Sequence, residues 1–380
     1  MSSALDVDQE FMRRAIDLAR KNLGRTRPNP SVGCLVVNNG RVVGQGATGV
    51  GGRPHAETLA LADAGKLLSG ATVYVSFEPC AHHGRTPPCA EALAQSCVKR
   101  VVIGCLDPYP PVRGRGVARL RRAGIKVTVG VLERECRQLN EGFITRVTKG
   151  RPFVLLKLAL TFDGRIAAID GDSRWISSPE ARRLVHRWRA EFDAVMVGAN
   201  TVIGDDPRLT CRVRPGRDPV RIVLDGSLRT SPEARVFRQR SSAPAILFTA
   251  ADKVAQARAR HAENQVEVVD APMRDGKLEL AAVMRELGRR GFLKVLVEGG
   301  AHLGASALAA KVVDRVAFFV APKLLGGGLG ALEGLNLGMA EAIRLNGLCA
   351  RPVGADWLLE AQVACATRQR AAARQHADLA

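Results

Sequence analysis

The sequence has no apolar run near the roughly 18 residues that a membrane-spanning helix requires. Its first residues, MSSALDVDQEF, lack the basic and apolar segments of a secretory signal. Aromatic residues make up only 4% of the chain, so the stacking platforms typical of nucleic-acid binding are scarce. No G-x-G-x-x-G follows a predicted strand, which leaves a Rossmann dinucleotide site without support. We therefore expect a cytoplasmic globular protein with no membrane partner and no nucleic-acid partner.

Acidic residues are also in deficit, with 37 Asp and Glu against 56 Lys and Arg, which gives a net charge of +19. Such a balance favours anionic partners: phosphorylated metabolites, nucleotides or nucleic acid. The length of 380 residues indicates two domains. Nine cysteines form an odd set, and with no export signal they argue against disulfides. Clustered cysteines therefore indicate metal binding or catalysis.

Strands and helices alternate along the whole chain, which predicts layered α/β domains. The first half predicts helices at 8–23, 55–68, 88–96 and 117–123 and strands at 32–37, 41–46, 71–76, 100–104 and 126–129. The second half predicts strands at 153–160, 194–197, 220–224, 245–248, 266–269, 294–297 and 315–320 and helices at 179–191 and 278–290. We predict one domain at 1–147, a second at 148–368, and a frayed tail at 369–380.

A metal-binding pattern stands out in the first half. His55 begins a predicted helix, Cys80 follows a strand, and Cys89 begins the next helix. One imidazole and two thiolates would supply three zinc ligands and leave the fourth position for water, as a hydrolytic site requires. Glu57 lies two residues from His55, so it can approach that water without ligating the metal and can pass its proton to leaving ammonia.

Two alternatives to this interpretation remain open. Zinc nucleobase deaminases carry H-x-E followed by P-C-x-x-C, but here eight residues separate the two cysteines. A closed structural zinc site is the first alternative, and it would take a fourth ligand from His82 or His83. Unrelated cysteines are the second. Neither alternative gives Glu57 a role.

Several motifs of the first half resemble the bifunctional riboflavin-biosynthesis deaminase–reductase family. They are RPNPSVGC at 27–34, PHAE at 54–57, EPCAHHGRTPPC at 78–89, and Asp107-Pro108 with Gly114-Arg115-Gly116. The long loop between the cysteines is a feature of that family. The resemblance implies that the pyrimidine and its ribose phosphate are bound by Asn29, His82, Arg85 and Asp107.

This sequence departs from the family pattern at one position. Seven residues before the metal-binding histidine the family usually has another histidine, and here Thr48 stands there. Threonine can form hydrogen bonds but carries no charge near neutral pH. Thr48 is the only sequence basis for the alternative that the deaminase half is inactive.

The second half contains glycine clusters just after strands, together with many basic residues. They are KLALTFDGR at 157–165, SRWIS at 173–177, GANTVIGDDPRLTCR at 198–212, VEGG at 297–300 and APKLLGGG at 321–328. Backbone amides beside glycine can approach phosphate, and the arginines add charge. The residues alone therefore predict a phosphate- or nucleotide-binding α/β domain, although plain turns explain each glycine cluster equally well.

In this order the same motifs resemble the reductase half of that family. The two resemblances together span about residues 8–330. They imply an α/β chain with a cytidine-deaminase-like three-layer domain followed by a dihydrofolate-reductase-like domain. The implied NADPH contacts are Ala159, Trp175, Thr201, Asp205, Ser227 and Gly300, Ala301, His302, Leu303, Gly304, Ala305 and Ser306. The implied substrate contacts are Ser173, Arg189, Leu209, Arg212 and Glu298, with Lys157 and Asp205 catalytic beside the ribose carbon that is reduced.

The implied function is a two-step enzyme that needs Zn²⁺ and NADPH. The deaminase half would hydrolyse the amino group at C2 of a 2,5-diamino-6-(ribosylamino)pyrimidinone phosphate, and the reductase half would reduce C1′ of the ribose to give a ribityl product. The family also implies a homo-oligomer. A nucleic-acid base deaminase is a further alternative, suggested by the net charge of +19, but the low aromatic content and the dispersed basic residues count against it.

Overall fold

The computed structural model describes residues 4–83, 87–110 and 112–364. The chain divides into two compact units. The first extends to Pro152 and includes Gly288–Leu293; the second contains Phe153–Leu287 and continues from Lys294. The domain boundary predicted at residues 147/148 falls inside the last helix of the first unit. The predicted frayed tail lies outside the described residues. No described helix is long and apolar enough to cross a membrane.

The first unit is built on one five-stranded sheet with the strand order β2-β1-β3-β4-β5. Its elements are α1 (Ala4–Arg20), β1 (Gly33–Asn38), β2 (Arg41–Ala47), α2 (Ala56–Ala64), β3 (Thr72–Phe77), α3 (Cys89–Gln95), β4 (Arg100–Cys105), α4 (Arg115–Arg122), β5 (Lys126–Val129), α5 (Glu133–Leu139) and α6 (Glu141–Lys149). β1 pairs antiparallel with both β2 and β3, whereas β3, β4 and β5 are parallel. The helix predicted at 55–68 ends at Ala64 and continues as a 3₁₀ turn.

Helices cover both faces of this sheet. A Cβ at Gly33 would meet the backbone of Ala15 in α1, while the next residue, Cys34, lies near Glu57 of α2. Successive strand residues point to opposite faces, so α1 and α2 pack on opposite sides. Glycine lets α2 lie flush on β2, because a Cβ at Gly46 would come within 2.2 Å of the carbonyl oxygen of Ala56. This close packing fixes the amino terminus of α2, where the metal-binding histidine lies.

The second unit is built on a nine-stranded sheet with the order β11-β10-β9-β8-β14-β6-β15-β18-β17. Its elements are β6 (Phe153–Thr161), β7 (Arg165–Ala167), α7 (Pro179–Glu191), β8 (Ala194–Gly198), α8 (Ala199–Asp205), β9 (Val220–Leu224), α9 (Arg235–Arg238), β10 (Ala245–Thr249), α10 (Val254–Arg260), β11 (Val266–Asp270), β12 (Met273–Arg274), β13 (Lys277–Leu278), α11 (Leu280–Arg289), β14 (Lys294–Val297), α12 (Ala301–Ala309), β15 (Arg315–Ala321), β16 (Leu329–Gly330), β17 (Leu345–Val353) and β18 (Asp356–Val363).

Strands from β11 through β15 are parallel, and β18 and β17 continue the sheet antiparallel. The sequence did not predict this last hairpin or the two short ribbons β7–β16 and β12–β13. The order reverses where β14 lies between β8 and β6. In open α/β sheets ligands bind at the carboxyl ends of strands beside such a reversal. That edge carries Gly198, Glu298 and Gly300.

Candidate active sites

Three metal-ligating side chains converge in the first unit. His55 caps the amino terminus of α2, Cys80 follows β3, and Cys89 is the first residue of α3. Nδ1 of His55 lies 3.3 Å from Sγ of Cys89 and 3.6 Å from Sγ of Cys80, and the three ligand atoms lie within 4.8 Å of one another. One imidazole and two thiolates suit zinc and leave a coordination position for water. The predicted ligand set is therefore assembled.

The pKa values of the two thiols are shifted in opposite directions. Their mutual hydrogen bond lowers the pKa of Cys80 to about 4, and the same bond raises the pKa of Cys89, with burial adding to the effect. The backbone N–H of Cys89 also donates to Sγ of Cys80 at 3.3 Å. Cys80 is therefore the thiol that ionises first. Binding of a divalent cation would also displace the proton of Cys89.

Glu57 lies in the first turn of α2 and is only 4% exposed. Burial raises the pKa of its carboxyl to about 7. A carboxyl with a pKa near neutrality can both accept and release a proton under working conditions, which general acid–base catalysis requires. Its predicted proton-transfer role fits this environment and stays a prediction.

The alternative of a closed zinc site needs a fourth protein ligand. His82 and His83 are both exposed, and neither belongs to the ligand group. Nε2 of His83 instead lies 3.6 Å from a carboxylate oxygen of Glu91. Within the part of the chain that the structure describes, the group therefore has three protein ligands, and a closed site has no support.

One of the predicted pyrimidine contacts, Asp107, is placed near this group. Burial raises the pKa of Asp107, and the charges that act on its carboxyl include those of His82 and Cys80. Oδ1 of Asp107 accepts a hydrogen bond from the backbone N–H of Tyr109 at 2.8 Å. Asn29 donates to the carbonyl oxygen of Gly52 at 3.0 Å, on the segment that leads to α2. Arg85 lies outside the described residues.

Thr48 is buried and its hydroxyl is used by the backbone. Oγ1 of Thr48 accepts a hydrogen bond from the backbone N–H of Val32 at 2.9 Å, and the backbone N–H of Thr48 donates to the Val32 carbonyl oxygen at 2.9 Å. The side chain therefore secures the mouth of the β1–β2 hairpin. The hydroxyl is therefore occupied by the backbone, and Thr48 does not supply the titratable side chain that the family usually has at this position.

A cavity of about 790 Å³ opens at the carboxyl edge of the large sheet. The predicted catalytic, substrate and cofactor residues that line it are Lys157, Ala159, Ser173, Trp175, Arg189, Thr201, Asp205, Leu209, Arg212, Glu298 and Gly300. His186, Arg182, Arg183 and Arg208 also line it and were not predicted as site residues. For the three on α7, Arg182, Arg183 and His186, the available signal was the run of basic residues on that helix. A cavity with this many arginines suits a phosphorylated ligand.

An ion-pair network forms the floor of this cavity. The Arg189 guanidinium donates to both carboxylate oxygens of Glu298, at 2.6 and 2.8 Å, and to the carbonyl oxygen of Thr210 at 3.1 Å. Burial lowers the pKa of Lys157, although the nearby Glu298 carboxylate opposes the shift. Lys157 and Asp205 form no ion pair with each other in the described residues.

A second cavity of about 700 Å³ shares part of this wall. Thr201, Asp205, Ser173 and Gly300 line both cavities, and Oγ1 of Thr201 accepts from the backbone N–H of Gly300 at 3.2 Å. The other predicted cofactor contacts that line it are Ser227, Ala301, His302, Leu303 and Ser306. A nucleotide could therefore place one end in each cavity.

Two predicted cofactor contacts do not reach either cavity. Gly304 and Ala305 are buried on the inner face of α12, where a Cβ at Gly304 would lie 3.5 Å from Leu156. Conversely, Asn200, Arg229 and Lys277 line the second cavity without having been predicted. The Arg229 guanidinium donates to Oδ1 of Asn200 at 2.7 Å. These cations give the second cavity a site for an anionic group.

Fold and sites together define a two-domain enzyme that combines a zinc deaminase centre with a nucleotide-dependent reductase. The comparisons with known proteins agree. Residues 5–105 match the cytidine and deoxycytidylate deaminase zinc-binding region, and residues 152–359 match the RibD C-terminal domain. The chain belongs to the RibD family of riboflavin biosynthesis proteins, and its cofactors are zinc and NADPH.

Relatives cover nearly the whole chain. The RibD proteins of Aquifex aeolicus and Escherichia coli are 43% and 40% identical to it, over 88% and 92% of this chain and 90% and 97% of their own lengths. A solved Thermotoga maritima structure is 39% identical, with a TM-score of 0.85, and covers 95% of this chain and 100% of its own. Acinetobacter baumannii RibD is 36% identical, with a TM-score of 0.83 and the same coverage.

Proposed function

We propose that this enzyme first deaminates 2,5-diamino-6-(5-phosphoribosylamino)pyrimidin-4(3H)-one and then reduces the ribosyl group of 5-amino-6-(5-phosphoribosylamino)uracil to ribityl. The main support is that a three-ligand metal group and a paired reductase cavity occur in one chain. They follow the order of the Thermotoga protein, which is described as a diaminohydroxyphosphoribosylaminopyrimidine deaminase and 5-amino-6-(5-phosphoribosylamino)uracil reductase.

In the deaminase, His55, Cys80 and Cys89 would hold the zinc, which when bound would supply an activated water for attack on the amino-bearing ring carbon. Glu57 accepts a proton from that water and delivers one to the departing amino group. Its burial and its pKa of about 7 support both halves of this transfer. Asp107, His82, Arg85 and Asn29 orient the pyrimidine and its phosphorylated ribose.

In the reductase, residues that line the two cavities would hold NADPH, which when bound would supply the hydride for C1′. The ribose ring must first open to an imine, which requires a proton at the ring oxygen and the loss of one from the attached nitrogen. Lys157 and Asp205 line the same cavity and are the groups we assign to these transfers, because burial brings the pKa of Lys157 down from its usual value. The amine nitrogen regains its proton when the hydride adds.

Arginine side chains bind the substrate phosphate in this scheme. Arg212 lines the large cavity, and no acidic partner of its guanidinium is present in the described residues. Arg189, in contrast, is held by Glu298, so it serves better as a fixed donor to the pyrimidine side of the substrate. Ser173 and Leu209 complete the proposed substrate wall.

One assay tests both activities in the full chain. The zinc-loaded protein is incubated with the diaminopyrimidine phosphate, with and without NADPH, while ammonia and NADPH are followed. We expect ammonia release without NADPH, and NADPH oxidation with the deaminated compound alone. Lys157→Met should abolish only the second signal while the protein remains folded. Absence of ammonia release from the zinc-loaded wild type would exclude the deaminase assignment.

We also infer a homo-oligomeric, cytoplasmic enzyme. The outermost strand of the large sheet, β17, is exposed along nearly its whole length; Leu348 on this strand and Trp357 on β18 are 69% and 53% exposed. A long apolar edge strand is normally covered. The eight described cysteines are all free, as in a reducing compartment. Light scattering coupled to size exclusion tests the first inference, and a monomer at working concentration would contradict it.

A further inference from the structure

Glu78 is a buried carboxylate that the proposed chemistry leaves without a role. It follows β3 directly, precedes Pro79 and the metal ligand Cys80, and is 4% exposed. Oε2 accepts hydrogen bonds from the backbone N–H groups of Asp107 at 3.1 Å and Gly114 at 3.0 Å. Oε1 accepts from Gly116 at 3.0 Å and Val117 at 3.3 Å. These four hydrogen-bond donors to the Glu78 carboxyl group are all backbone amides.

These four amides belong to the loop after β4 and to the first turn of α4. The amides of Gly116 and Val117 lie in that first turn, where a helix has no acceptors of its own. The approach is close, because a Cβ at Gly116 would lie 2.2 Å from the carbonyl oxygen of Pro79. One carboxylate thus binds both ends of the 107–114 segment and joins them to the strand end that carries Cys80.

The hydrogen bonds of Glu78 act on the substrate side of the proposed zinc centre. Asp107 is the first residue of that segment, its backbone is held by Glu78, and its carboxyl lies where the charges of Cys80 and His82 reach it. We propose that Glu78 is a positioning residue of the deaminase, which fixes Asp107 relative to the metal ligand Cys80. This inference rests on the proposed function, since it assumes that Asp107 contacts the pyrimidine phosphate.

The test is a double-mutant cycle in the full-length, zinc-loaded protein. Glu78→Gln replaces one acceptor oxygen by an amide nitrogen that cannot accept from two N–H groups. Asp107→Asn removes the proposed substrate contact. Charged acceptors make the stronger hydrogen bonds, so we expect Glu78→Gln to raise the deaminase KM by about tenfold or more, with a smaller change in kcat and one zinc retained. The double variant should have the KM of Asp107→Asn alone, because the two changes act through one contact.

A buried carboxylate elsewhere in the same unit provides the matched control. Asp8 accepts hydrogen bonds from Tyr74 and Arg100 and is 4% exposed. Asp8→Asn should lower the melting temperature without changing the deaminase KM. Glu78→Asp keeps the charge but is one methylene shorter, so it provides a second variant if Glu78→Gln does not fold, and it should also raise the KM.

Each result bears on a different claim. Folded Glu78 variants with wild-type KM, or effects that multiply in the double variant, would overturn the positioning role. A wild-type KM in Asp107→Asn would overturn it too, because the contact through which Glu78 acts would be absent. Failure of the proposed function is separate, since it would show as no ammonia release from wild-type protein.

Discussion

The two active sites of this chain are built on different principles. The metal group depends on three side-chain atoms that lie within 4.8 Å of one another. The reductase site consists of cavities of about 790 and 700 Å³, whose walls include backbone, glycine and scattered arginines. A zinc site needs His and Cys side chains as ligands, whereas a cavity can be lined by many residue types. The zinc site is therefore recognisable in the sequence from the spacing of its ligands, but the reductase cavities are represented there mainly by glycine-rich turns.

The two sites also differ in how their charged groups are paired. At the metal group the pKa of Cys80 is lowered and that of Cys89 is raised, and both thiols must lose their protons to bind a metal cation. In the reductase cavity the anion is already neutralised, because Glu298 is held by Arg189 through two hydrogen bonds. The deaminase should therefore depend on metal content, and the reductase on the order of its own side chains. Each of the following predictions changes one of the two sites, and the first two also measure the activity of the other site.

The largest effect is expected from removal of a metal ligand. Cys80→Ala should reduce zinc from one equivalent per chain to near zero and abolish ammonia release, since two protein ligands remain. Atomic absorption and an ammonia assay measure these outcomes. NADPH oxidation with deaminated substrate should keep its wild-type rate. Full zinc occupancy in Cys80→Ala would show that the ligand assignment is wrong.

Glu57→Gln should keep the zinc but stop deamination, because an amide similar in size cannot accept the water proton. General acid–base catalysis contributes about 10²–10⁴-fold, and the loss in kcat should lie at or above that range. The control is the same NADPH assay, which should not change. Retention of more than about a tenth of the deaminase rate would place the proton transfer on another group.

The sequence predicted most of this architecture. The strand at 126–129 and the helix at 179–191 have the bounds that their patterns indicated. Ser178 caps that helix by accepting from the backbone N–H of Ala181, and Pro179 begins it, as favoured at helix starts. The hairpin β17–β18 was missed because β17 contains Gly347 and Pro352 and has no buried alternation. An edge strand can carry such residues, since one side of it forms no ladder.

The site residues divide in the same way. His55, Cys80 and Cys89 were predicted from their chemistry and converge, whereas the cofactor stretch was predicted as a continuous run. A helix turns about 100° per residue, so the six residues of this run that lie on α12, from Ala301 to Ser306, cannot all face one cavity. Gly304 and Ala305 accordingly lie on its buried side. Arg229 lies in the loop after β9 and Lys277 begins β13, so the two form no motif in the sequence, which is why sequence patterns did not reveal them.

The cations of the second cavity provide a sharper test of the reductase site. We expect Arg229 and Lys277 to contact the 2′-phosphate that distinguishes NADPH from NADH, since basic side chains serve this purpose in other nucleotide folds. Arg229→Ala and Lys277→Ala should each weaken NADPH binding by about tenfold, the equivalent of one charge-assisted hydrogen bond, while NADH binding stays constant. Fluorescence titration measures both affinities.

Arg258→Ala is the matched control for this pair of variants. It removes an exposed arginine of α10 that lines neither cavity, so it makes the same change in net charge. NADPH affinity should not change in it. An equal loss of NADPH and NADH affinity in Arg229→Ala and Lys277→Ala would instead mean that these side chains hold the shared part of the cofactor.

The smallest effect concerns pH and stability in the large cavity. Burial, with the nearby Arg189 and Arg212, lowers the pKa of His186 to about 4, from an unfolded value of about 6.5. Between these values the unfolded chain binds a proton that the folded chain does not, so His186 lowers stability progressively as pH falls from about 6.5 to about 4. Above pH 6.5 both states are neutral and the effect disappears.

His186→Gln should therefore lose less of its melting temperature than wild type when the pH is lowered from 7 to 5. The comparison is made between variant and wild type at equal zinc loading, because the metal ligands also titrate in acid and contribute equally to both proteins. Calorimetry at the two pH values measures the difference, and the transition to follow is the one that NADPH shifts upward, since only the reductase unit binds it. An unchanged pH dependence in His186→Gln would mean that the pKa of His186 is not lowered in the folded protein.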